Sequence, residues 1–130
     1  MGIDESWRNH HNPQVPEPKP VDWIGSSLRD FRRFPEEVKD AMGFALYVAQ
    51  TGDRHESAKV LKGFGGAQVL ELIENSDGDT YRAVYTVKIE GRVAVLHAFQ
   101  KKSKSGIETP KADRELILKR LRWALDNLKD

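Results

Sequence analysis

Two spacings of apolar residues divide the chain. From Val38 and again from Leu116 they recur every three or four residues; between Gln68 and Gln100 they fall in short runs. The first spacing predicts helices and the second predicts strands. Val21-Asp22-Trp23-Ile24 is a short candidate strand ended by Gly25. Ser27 then opens a helix, with Asp30 three residues on in the manner of a capping box. Pro35 suits the first turn of a second helix, with Glu36 and Glu37 at its positive end. Val38, Met42 (or Ala41), Ala45, Leu46 and Ala49 form its stripe, and Gly52 closes it.

Residues 53–66 are ambiguous, with one or two helical turns between His55 and Lys62, and Gly63, Gly65 and Gly66 forcing a turn. That glycine run lacks the Gly-Lys-Ser/Thr ending of a phosphate-cradling loop and follows no strand. Three strands are expected next: Gln68 to Asn75, Tyr81 to Ile89 and Arg92 to Gln100. A hairpin turn at Ser76-Asp77-Gly78-Asp79 joins the first two, and Glu90-Gly91 joins the last two. In the third strand Val93, Val95, His97 and Phe99 alternate with Ala94, Leu96 and Ala98. Both faces are largely apolar, which marks an interior strand. Thr109 caps a last helix, Pro110 occupies its first turn, and Leu116, Ile117, Leu121, Ala124 (or Leu125) and Leu128 make its stripe. The expectation is an α+β domain over residues 21–130, with N-terminal helices and a C-terminal helix packed on one face of a three- or four-stranded, mainly antiparallel sheet. Residues 1–20 carry Pro13, Pro16, Pro18 and Pro20 without periodicity and read as a flexible, Pro-rich arm. His10 and His11 in it read as a solvated tail, and Trp7 is its large apolar residue.

Composition changes this picture in one respect. The chain is only +1 overall, but Tyr81 to Ser105 holds six cations against the single acid Glu90. The third strand therefore delivers Lys101, Lys102 and Lys104 to one rim of the sheet, a cationic edge suited to phosphate. The absence of cysteine excludes disulfides, thiolate zinc sites and thiol nucleophiles and fits a cytoplasmic protein. No apolar run approaches a membrane span, no secretory leader is evident, and the scattered carboxylates predict neither metal nor cofactor.

Several motifs stand in order: Trp23-Ile24-Gly25-Ser26-Ser27, Phe34-Pro35, Val69-x-Glu71-Leu72, Tyr81-Arg82-x-x-Tyr85, Val95-Leu96-His97-x-Phe99-x-Lys101-Lys102-Ser103 and Thr109-Pro110. Together they resemble the phage-related branch of the RelE/ParE toxin superfamily, close to HigB-type toxins, over roughly residues 19–128. The resemblance implies a RelE-like fold and a toxin of a type II toxin–antitoxin system. Such a toxin cleaves mRNA on the ribosome, without a metal, and is neutralised by a cognate antitoxin protein. It also implies alternatives on the same fold: a non-enzymatic inhibitor of DNA gyrase like ParE, or an inactive phage-derived binding module.

By the same resemblance, Arg82 matches the strand arginine suited to bidentate phosphate contact. Lys101 and Lys102 match the basic pair after the last strand, and His97 matches the Leu-His-x-Phe pattern. These four are the candidate catalytic residues; Lys62, Lys104 and Tyr85 are candidate RNA-binding residues. Strand parity sets His97 beside Val93 and Val95, so a core role and a catalytic role both stay open. Tyr81 and Tyr85 point away from Arg82 and read mainly as packing residues, with base stacking by Tyr85 a second reading. Some RelE toxins place a catalytic tyrosine beyond the basic loop; no tyrosine follows Tyr85 here.

Overall fold

The computed structural model describes residues 17–66, 68–101 and 108–128. The order is β1 (Val21–Trp23), α1 (Ser27–Arg32), α2 (Glu36–Gln50), β2 (Lys59–Val60), β3 (Val69–Ser76), β4 (Asp79–Thr86), β5 (Val93–Lys101) and α3 (Lys111–Asn127). These build one five-stranded sheet ordered β1-β5-β4-β3-β2. The β1–β5 pair is parallel and the other three pairs are antiparallel. The α+β class and the interior place of β5 follow the sequence pattern. The sheet has more strands than expected because the ambiguous segment contributes Lys59–Val60, paired with Leu70 and Glu71, in place of a helical turn.

The helices do not share one face. Helix α2 packs Val38, Met42, Ala45, Leu46 and Ala49 against Leu70, Leu72, Tyr81, Ala83, Tyr85, Val93 and Val95. Helix α3 packs Ile117, Leu121 and Ala124 against Val69, Val84, Ala94 and Leu96 on the opposite face. The reason lies in the strands: both faces of β5 are apolar, and each needs a cover. Trp23, Phe31, Phe34 and Tyr81 form a ladder of tilted rings, with centroids 5.0 to 5.7 Å apart, that fastens α1 to the first face.

The β3–β4 hairpin turns at Asp77 (φ 52°) and Gly78 (φ 86°), the two left-handed positions of a type I′ turn. The loop after β4 is longer than the sequence suggests, because pairing ends at Thr86 rather than Ile89. Of the expected arm, residues 1–16 lie outside the described residues. Lys19 exchanges hydrogen bonds with Gln50, and the Pro20 carbonyl accepts one from the Val93 amide.

Two expected caps act elsewhere. Ser27 is buried and its hydroxyl donates to the Val95 carbonyl, while Ser26 precedes α1 and donates to Asp30. Thr109 does not cap α3; Pro110 holds that position, and the Thr109 hydroxyl turns into the sheet.

The β4–β5 ladder carries one irregularity. Val84 pairs with His97 but Tyr85 pairs with Val95, so β5 has an extra residue there. Leu96 and His97 consequently both turn toward α3, and the alternation expected from sequence breaks between Val95 and His97. Arg120 of α3 donates to the Leu96 carbonyl at 2.9 Å and to the Ser26 hydroxyl at 3.0 Å. Burial lowers the pKa of its guanidinium from the ordinary value; neighbouring Asp30 opposes this and Arg29 adds to it.

Candidate functional site

Residues 61–66, β3 and the start of α3 enclose an open cleft of about 590 Å³, lined by Val60, Leu61, Lys62, Gly63, Glu71, Glu108, Thr109 and Arg114. Its wall is fixed by the sheet. Glu71 lies on β3 with its carboxylate on the α3 side, buried to 6% exposure. Two donors hold its Oε2: Arg82 Nη1 from β4 at 3.1 Å and the Thr109 hydroxyl at 3.0 Å. Arg82 is 3% exposed, and its charge is matched by Glu71 inside the protein. The remaining rim is tied to the same place. Arg114 reaches from α3 to the Lys62 carbonyl at 2.5 Å and lies 4.9 Å over the Phe64 ring. Lys101, at the end of β5, is buried, and its ammonium donates to the Glu108 carbonyl.

The structure sorts the residues singled out by sequence. Arg82 sits behind the cleft in a buried ion pair rather than at its surface. Lys101 sits at the base of the segment leading into α3, and Lys62 is exposed on the cleft rim. Lys102 and Lys104 lie outside the described residues. His97 is placed by the bulge on the α3 side. Its Nε2 meets Asp113 of α3 at 2.7 Å and its ring stacks on Phe99. Its Nδ1 is buried with no hydrogen-bond partner among the described residues. Val93 and Val95 face α2 instead, so the parity expected for His97 is corrected by the extra residue in β5.

Tyr85 is also corrected as an RNA contact. It has no exposure and packs under α2, where no base can reach its ring. Burial pushes its phenol up to about 12, with Arg54 pulling the other way.

Sequence reasoning passed over Glu71, Thr109, Asp113 and Arg114 as site residues. Glu71 and Thr109 stand inside the family-like motifs, but nothing in strand periodicity says that a carboxylate will meet an arginine eleven positions later. The hairpin register does say it: Glu71 pairs with Val84, so Glu71 and Arg82 sit diagonally across β3 and β4 on the α3 face. Among the described residues, no group of three or more His, Asp and Glu side chains is arranged to hold a metal ion, and no helix is long and apolar enough to cross a membrane.

Comparisons with known proteins give a family and a fold. The family model for the phage-derived protein Gp49-like (DUF891) matches residues 29–122. No curated protein matches the sequence. Among solved structures, a free-state mutant of the E. coli toxin RelE superimposes with a TM-score of 0.53 at 19% identity, covering 82% of this chain and 98% of that one. The isolated E. coli RelE toxin gives 0.50 at 23% identity, covering 79% and 98%. The RelBE2 toxin–antitoxin complex of Mycobacterium tuberculosis gives 0.45 at 17% identity, covering 66% and 94%.

Proposed function

Since the chain belongs to the Gp49-like phage-derived family and has the RelE fold, we propose that it is the toxin of a type II toxin–antitoxin system, cleaving mRNA on the ribosome in the cytoplasm without a metal. The observation that carries this reading is the cleft itself. An anchored carboxylate, an arginine reaching into it from α3 and an exposed lysine stand together on that fold. Metal-free cleavage of RNA needs a base for the 2′-hydroxyl and cations for the charge developing on phosphorus. Lys62 and Arg114, with Lys102 and Lys104 that follow Lys101 in the sequence, are the cations assigned to phosphate, and the buried Lys101 steadies the segment before α3 through the Glu108 carbonyl. Arg82 fixes the carboxylate that faces them, and His97 holds the start of α3 through Asp113. The partner that restrains the activity is an antitoxin protein.

Induction of the chain in a bacterial host, with 5′ ends mapped by primer extension on an abundant transcript, tests the reading. Growth arrest with new cuts inside translated frames is expected. Arrest with intact mRNA and damaged DNA would replace it with gyrase inhibition, and unimpaired growth would leave a binding module.

A further inference from the structure

We propose that Glu71 is the general base of the cleavage reaction, an inference that rests on the nuclease reading above. Geometry carries it. Thr109 and Arg82 donate to Oε2, while Oε1 accepts no hydrogen bond from the described residues, and Glu71 lines the cleft. One oxygen is thus clamped and the other is left for a ligand, which is how a carboxylate is aimed rather than merely neutralised. The other titratable groups nearby are less suited. Nε2 of His97 is engaged by Asp113 and its Nδ1 is buried. Glu108 also lines the cleft but is exposed. Lys62 and Arg114 are cations on the same cleft wall and would hold the phosphate whose neighbouring 2′-hydroxyl meets Oε1.

The step balances without an added reagent. Glu71 takes the 2′-hydroxyl proton, and the 2′ oxygen forms a bond to phosphorus. The P–O5′ bond breaks with its electron pair going to O5′, which takes a proton from water. The proton on Glu71 then passes to the resulting hydroxide. The products are a 2′,3′-cyclic phosphate and a 5′-hydroxyl.

The test is single-turnover cleavage of mRNA on programmed ribosomes by the full chain. Glu71→Gln keeps an oxygen that accepts from Thr109 and Arg82 but removes the basicity. It should bind ribosomes like the parent and cleave about 10²- to 10⁴-fold more slowly. Because a buried pair is disturbed, Glu71→Asp serves beside it: the charge stays, the carboxylate draws back, and cleavage should still fall at least about tenfold with binding unchanged. A substrate with sulfur in place of O5′ at the cut phosphate leaves readily without protonation. The Glu71→Gln defect should persist on it, as a missing base requires, and its disappearance would make Glu71 the acid instead and overturn the proposal. Parent-like cleavage by Glu71→Gln, or loss of ribosome binding in step with cleavage in both variants, would also overturn it while leaving the nuclease reading intact. A parent chain that cuts no mRNA removes both.

Discussion

At the scale of single residues, the Arg82–Glu71 pair governs how any mutation at the site must be read. The side chains are 3% and 8% exposed and 3.1 Å apart, so deleting one leaves a buried, unmatched charge. Arg82→Ala should therefore cost about 3 to 5 kcal/mol of stability, whatever it does to activity. Replacing both residues with Met should cost far less, because an apolar pair of similar volume needs no partner. Urea denaturation of the three proteins checks this. A double variant as unstable as Arg82→Ala would mean that the cost is packing rather than unpaired charge. Tyr85 makes a second, independent prediction. Its pKa, raised to about 12 from 10.0 by burial, means that the native state keeps the phenolic proton after the unfolded chain has lost it. The stabilisation is therefore whole below pH 10 and is lost between pH 10 and 12, at about 1.4 kcal/mol per pH unit. Tyr85→Phe lacks that proton, so its stability relative to the parent should rise through the same window. A parallel decline of the two proteins would show that Tyr85 ionises as freely in the fold as out of it. Base stacking by Tyr85 is a reading that sequence leaves available; the burial that forbids it is a tertiary fact.

At the scale of elements, periodicity announces most of what the chain builds. The stripes of α2 and α3, the Asp77-Gly78 turn and the doubly apolar β5 are all legible, because each is a local pattern with a single good solution. What periodicity does not show is where α3 lands. A helix stripe fits either face of a sheet, and only the covering of one face by α2 sends α3 to the other. The bulge in β5 is equally silent, since an extra residue between Val95 and His97 leaves composition and alternation nearly intact. Its consequence is large: it moves His97 from the α2 face to the start of α3. Leu121 lies at the centre of the α3 contact, 3% exposed among Ile117, Leu96 and Val84. Leu121→Ala should cost about 2 to 5 kcal/mol, read as a lowered urea midpoint. A loss below about 1 kcal/mol would mean that α3 is held by its polar anchors at Thr109, Asp113 and Arg114 rather than by its stripe.

At the scale of the whole molecule, charge decides what kind of binding is possible. With a net charge of +1 the chain casts no strong field, so nucleic acid is not drawn to it from a distance. Attraction must come from the local cations; among the described residues, Lys62 and Arg114 stand at the cleft and Lys101 behind it. The acids alongside them, Glu71 and Glu108, reduce the sum further, so a single RNA strand should contact only about two or three phosphates. Each phosphate neutralised contributes about −0.7 to the slope of log affinity against log salt for a single strand. The expected slope is therefore between about −1.4 and −2, and affinity should fall roughly tenfold from 50 to 200 mM salt. Fluorescence anisotropy with a labelled single-stranded RNA measures it. Lys62→Ala should make the slope shallower by about 0.7, because an exposed rim lysine contributes charge and little else. Arg82→Lys should leave the slope where it is, because Arg82 is buried and its charge already belongs to Glu71. A slope that changes with Arg82 and not with Lys62 would turn this picture inside out: the buried pair would then have to open for RNA, and the cleft would be assembled by its substrate.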